Sequence, residues 1–199
     1  MQSTGGERTE VGLRRLVLAS ALASAAFGAA VGTYVGGMQV LYAAVKMPVF
    51  FLGTLAICLA IFTALAAPRL APREAVRVAV RTIFTTTMIL GALSPPILLA
   101  GASFPKPHAY PHMVLLLTLA IAAAGTFSVV RLRRALPTRG LLLAWVGIYG
   151  LVGAQMAWLL KPWIGYTLVA DRFIPLSENL RGNFYEAVWR SLVTALSGR

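Results

Sequence analysis

Acidic residues are scarce in this chain, six among 199, and each of them, Glu7, Glu10, Glu74, Asp171, Glu178 and Glu186, falls outside its five long apolar runs. A carboxylate proton relay or a sodium cage buried among those runs therefore has no donors, although intramembrane charge is where transport chemistry usually declares itself. Cysteine is scarcer still: Cys58 stands alone, which excludes a disulfide within the chain and leaves the redox compartment unread. The two histidines, His108 and His112, lie in the proline-rich stretch Phe104-Pro105-Lys106-Pro107-His108-Ala109-Tyr110-Pro111-His112, with no carboxylate or cysteine beside them. That stretch reads as a rigid turn rather than a metal site, so neither a metal nor a cofactor is expected. No nucleophile–base pair occurs within the apolar runs.

What is abundant is apolar surface. Hydrophobic residues make up 58% of the chain and the mean hydropathy is +0.77, well above the roughly 45–50% apolar content of soluble domains. Five runs reach the ~20 residues needed to span hydrocarbon: 16–36, 47–67, 82–102, 112–130 and 141–160. The sequence thus predicts an all-α integral membrane protein, a five-helix transmembrane bundle. A short N-terminal arm (1–15) precedes it and a tail (161–199) follows. The arginine pair at Arg14 and Arg15 and small-x-small steps such as Ala23 to Ala25 also suit a signal peptide, but the first run is longer than a signal core, and we read it as a retained span.

Basic residues outnumber acidic ones 18 to 6, for a net charge of +12. No aromatic–basic stripe or zinc-ligand spacing accompanies this excess, so nucleic acid is not an expected partner; the lipid bilayer and its anionic lipids are. Positive charge in short loops sets orientation. Eleven arginines fall in the N-terminal arm and in the second and fourth connections, against only Lys46, Lys106 and Lys161 in the first and third connections and at the start of the tail. That places the N-terminus in the cytoplasm of a bacterial inner membrane and the tail outside. Arg69, Arg73, Arg77 and Arg81 repeat every fourth residue and predict a basic line on a helix starting near Pro72, suited to anionic lipid head groups, with Val76 and Val80 turned toward the membrane.

Within the first run Ser20, Ser24, Gly28, Gly32 and Gly36 recur every four residues. Glycine inside a helix costs about 1 kcal/mol relative to alanine, and close helix contact in lipid offsets that cost; the five residues predict a packing face for another helix. In the third run Ser94, Pro95 and Pro96 should kink or break the helix, because each proline lacks a donor and Pro95 crowds the carbonyl of Gly91. Such a break, with Thr85, Thr86 and Thr87 below it, suits either a packed kink or a solute site at mid-membrane depth. Gln155, the most polar side chain well inside a run, must face a helix or water; Gly147, Gly150 and Gly153 would let another backbone come close. In the tail, Asn183 and Glu186 resemble a capping box. A short amphipathic C-terminal helix over 184–196 follows, with Phe184, Tyr185, Trp189 and Leu192 on its apolar half for partner docking.

The junction Gly153-Ala-Gln155-Met-Ala-Trp158-Leu-Leu160-Lys161-Pro162-Trp163-Ile-Gly165, the tail segment Gly182-Asn183-Phe184-Tyr185-Glu186-Ala187 and the opening Lys46-Met47-Pro48 together resemble a family of small polytopic bacterial membrane proteins without an established function. In that family arginine and phenylalanine are expected where Lys161 and Trp163 stand. The five-span plan is also similar in topology to the Yip-type membrane-trafficking fold. Neither resemblance implies an activity. The expectation is a non-catalytic scaffold or accessory subunit that meets a protein partner or a second copy of itself through the first span or the tail. A channel or transporter for a neutral or weakly polar solute is the alternative.

Overall fold

The computed structural model describes residues 4–66, 70–104 and 110–161, together with Phe173 and Glu186. Six helices are bounded among the described residues: α1 (Thr4–Gly32), α2 (Met38–Ala66), α3 (Pro72–Ala92), α4 (Ser94–Ser103), α5 (Tyr110–Ala135) and α6 (Arg139–Leu159). All but α4 are long and apolar enough to cross a membrane, and no strand occurs among the described residues. Capping box, tail helix and docking residues (Asn183, Phe184, Tyr185, Trp189, Leu192) lie outside the described residues, as do His108 and Arg69.

Local chemistry explains where the helices stop. Gly36 and Gly37 have φ of +84° and +56°, the left-handed region that glycine enters without penalty. They close a tight turn in which Gly36 N–H donates to the Gly32 carbonyl at 3.0 Å and Gln39 N–H to the Gly36 carbonyl at 3.3 Å. Two expectations are corrected here. Gly36 is a turn residue outside α1, not the last member of its packing face. The connection expected to run to Lys46 is only five residues long, because α2 starts at Met38 and carries Lys46 two turns inside a helix, fully buried. Helix formation likewise extends into the N-terminal arm, from Thr4.

Ala71 adopts extended backbone (φ −63°, ψ 137°) ahead of Pro72, the first residue of α3, as the residue before a proline prefers. The expected span 82–102 is corrected to two helices. α3 already starts at Pro72, and the ring of Pro95 cannot sit behind the carbonyl of Gly91, so the helix ends at Ala92. The chain turns at Leu93, and α4 uses both prolines in its first turn, where a missing N–H costs nothing. At ten residues α4 is about 15 Å long, half of a ~30 Å hydrocarbon core. α6 is capped by Thr138, whose hydroxyl accepts from Leu141 N–H at 3.3 Å.

α1 and α2 form the central antiparallel pair. α1 is flanked on its other side by α3 and α4, α5 lies against α3, and α6 packs on α2 and, over a smaller area, on α5. The core is built from Phe27, Val31, Phe51, Phe62, Leu90 and Met113 with their neighbours. Large side chains such as Leu22, Leu99, Leu143 and Leu151 point outward and are more than half exposed, an outer surface that suits lipid rather than water.

Candidate functional site

One close seam runs along α1. Gly28 faces the Ala43 carbonyl and the side chain of Met47, and Gly32 faces Gln39 and Val40; a methyl group added at Gly32 would lie 2.6 Å from Val40 Cα. These two glycines let the backbones of α1 and α2 come closer than any side chain permits. Ser20 and Ser24 are buried on the same flank but bond within α1, Ser20 to the Leu16 carbonyl at 2.8 Å and Ser24 to the Ser20 carbonyl at 2.7 Å. Small size, rather than hydrogen bonding to a neighbour, is what they contribute.

Two glycines outside the four-residue stripe do the same work on the opposite flank. A Cβ at Gly91 would meet Ala23 at 3.0 Å, and one at Gly101 would meet the Thr33 hydroxyl at 2.8 Å and the Tyr34 nitrogen at 3.2 Å. Residue numbers rise together along α1 and along α3 and α4, so the three run parallel, and the turn at Leu93 lets the chain follow α1 to its end. The only signal for this in the sequence is a glycine on each side of the Pro95-Pro96 break.

Thr85, Thr86 and Thr87 all bond within α3. Each donates its hydroxyl to a carbonyl one turn back in α3, and Thr86 also reaches Ser128 Oγ of α5 at 2.7 Å. Ser94 Oγ lies 3.4 Å from the Leu90 carbonyl, which also accepts from Leu93 N–H at 3.0 Å. Gln155 belongs to α6, whose neighbours are α2 and α5, whereas α4 packs on α1 and α5.

A second seam joins α2 to α6, antiparallel. Gly53 approaches Met156, Thr54 approaches Gly153, the Cys58 thiol points at the Ile148 carbonyl at 3.8 Å, and the rings of Phe62 and Trp145 meet edge to face at 5.1 Å. Three polar atoms are buried without a hydrogen-bond partner among the described residues: Thr54 Oγ1, the Tyr149 hydroxyl and Gln155 Oε1. Gly147 and Gly150, expected to admit a neighbouring backbone, face open space; of that set Gly153 alone meets α2.

Lys46 is the residue that sequence reasoning misplaced most. It is buried in α2, with its ammonium 5.5 Å from the ring centroid of Phe173, which also packs edge-on against Tyr42 at 5.3 Å. Charge is therefore not confined to connections. Lys161 sits 3.1 Å over the Trp158 ring at the end of α6. Arg73, Arg77 and Arg81 are exposed along α3, while Val80 is buried and Val76 half-buried, and both line a groove between α3 and α1. His112, exposed in the first turn of α5, stands beside Phe104, with ring centroids 6.3 Å apart. No group of three metal-ligating side chains forms among the described residues. Compared with known proteins, the chain matches no protein-family model, no curated protein and no solved structure.

Proposed function

We propose that this chain is a multi-pass protein of the bacterial inner membrane, N-terminus in the cytoplasm, that serves as a non-catalytic scaffold or accessory subunit of a membrane complex. The observation that carries the reading is the division of polar and apolar groups. Large apolar side chains face outward along helices of membrane-crossing length, while the serine and threonine hydroxyls of α1, α3 and α5 are mostly satisfied by their own helix backbones. Such an interior supports a packed framework, and the apolar exterior supplies surface for a neighbouring membrane protein. The small-residue face of α1 is filled by α2, which moves the expected partner contact from the first span to the outer faces or the tail.

The test is purification from native membranes at native expression, in mild detergent, of the full chain carrying a tag. A stoichiometric integral-membrane companion, lost when exposed leucines of one outer face are changed to alanine, is the expected result. A lone chain that conducts a small neutral solute across proteoliposome membranes overturns it. The transporter reading has one observation in its favour, the Thr54, Tyr149 and Gln155 oxygens without a partner among the described residues, which a polar solute or water would satisfy.

A further inference from the structure

Between the middle of α1 and the N-terminal end of α3 runs a shallow groove of about 420 Å³. Its walls are almost wholly apolar: Val17, Leu18 and Ala21 from α1, Val76 and Val80 from α3. Arg14 lines its mouth. Arg73 and Arg77, each three residues ahead of one of the two valines and therefore one turn nearer the helix start, are exposed at the same end. Glu74 is the one acidic residue on α3. From Arg14 to Ala21 α1 rises about 10 Å, so the cationic mouth and the apolar trough are ordered as a phosphate and the upper part of an acyl chain are ordered in one leaflet.

We propose that this groove binds one anionic phospholipid, its phosphate on Arg14, Arg73 and Arg77 and an acyl chain laid along Leu18, Ala21, Val76 and Val80. Among the side chains described at this end, arginines outnumber the single carboxylate of Glu74, an excess that favours a negative head group over a zwitterionic one. The trough, which a free phosphate would not use, selects a lipid. The inference rests on the membrane reading above but not on the scaffold role.

The experiment is native mass spectrometry of the full chain in detergent, titrated with phosphatidylglycerol or with phosphatidylcholine. The wild-type protein should retain one phosphatidylglycerol in preference to phosphatidylcholine. Replacing Arg14, Arg73 and Arg77 together by glutamine should weaken that retention on the order of a hundredfold, each surface arginine near an anionic head group being worth roughly a factor of five. Replacing Arg131, Arg133 and Arg134, exposed at the end of α5, removes the same charge elsewhere and should leave the bound lipid in place. Ala21→Trp, which fills the trough and keeps every arginine, should also expel it, with folding checked by melting temperature. Equal loss in the α5 variant, undiminished binding in the α1–α3 variant, or a well-folded Ala21→Trp protein that binds as the wild type does would each overturn the site. Failure of the scaffold reading would instead appear as the absence of a companion protein, whatever the lipid count.

Discussion

Gly28 lies directly beneath the backbone carbonyl of Ala43, so the place a Cβ would occupy is already taken by that carbonyl and, at 2.8 Å, by Met47 Cγ. The obstacle is backbone, which cannot rotate away. Alanine at Gly28 or Gly32 should therefore destabilise the bundle by about 1–3 kcal/mol, the usual cost of overfilling a packed site. Alanine at Gly147, which has nothing within 4 Å, should be neutral or gain up to about 1 kcal/mol from helix propensity. Thermal unfolding in one detergent checks the contrast, and equal losses at Gly28 and Gly147 would remove the case for a glycine contact.

Thr86 and Ser128 form the hydroxyl bridge between α3 and α5, at 2.7 Å. A double-mutant cycle with Thr86→Val and Ser128→Ala should give a coupling of about 0.6 kcal/mol and no more than about 1.7 kcal/mol, the mean and maximum for hydrogen bonds between membrane helices. Strict additivity would mean that each hydroxyl is satisfied by its own helix alone.

Orientation is open to a direct chemical test. In a Cys58→Ala background, cysteine at Met38, exposed at the start of α2, should react with an impermeant maleimide applied to spheroplasts, in which the inner membrane alone separates reagent from cytoplasm. Cysteine at Ala135, exposed at the end of α5, should react only after the membrane is opened. The reverse pattern would contradict the charge asymmetry from which the N-terminus is assigned to the cytoplasm.

Length and hydropathy were enough to read the helical class and the number of long apolar helices, because a twenty-residue apolar run has few other solutions. Contacts were less legible, for identifiable reasons. Gly28 and Gly32 announce a close approach, but a four-residue period does not say which helix approaches, and the nearest one in the chain, α2, takes the place. Gly36 continues the period while serving a turn, since glycine answers both needs. Lys46 reads as a loop residue by charge alone; its burial depends on Met38 starting a helix eight residues earlier, with no breaker between them. Val76 and Val80 show only that α3 has an apolar stripe, and whether lipid or α1 covers it is decided by where α1 lies. Pro95 and Pro96 correctly mark a break, yet the pair of glycines that the break brings against α1 gains its meaning only in three dimensions.

The seam between α2 and α6 ties Cys58 to Ile148, ninety positions later in the chain, whereas Gly28 meets Ala43 within a single hairpin. On the ribosome these contacts become possible at very different moments. The α1–α2 pair can close as soon as both helices have emerged, but the face of α2 bearing Thr54 and Cys58 must wait for α6, about 5–20 s later at ordinary elongation rates. During that interval the Thr54 hydroxyl stands open on the face of α2 that α6 later covers. Membrane quality-control proteases and insertion chaperones that read exposed polar groups would have a window to act on nascent chains, and a chain stalled before Arg139 would never leave it.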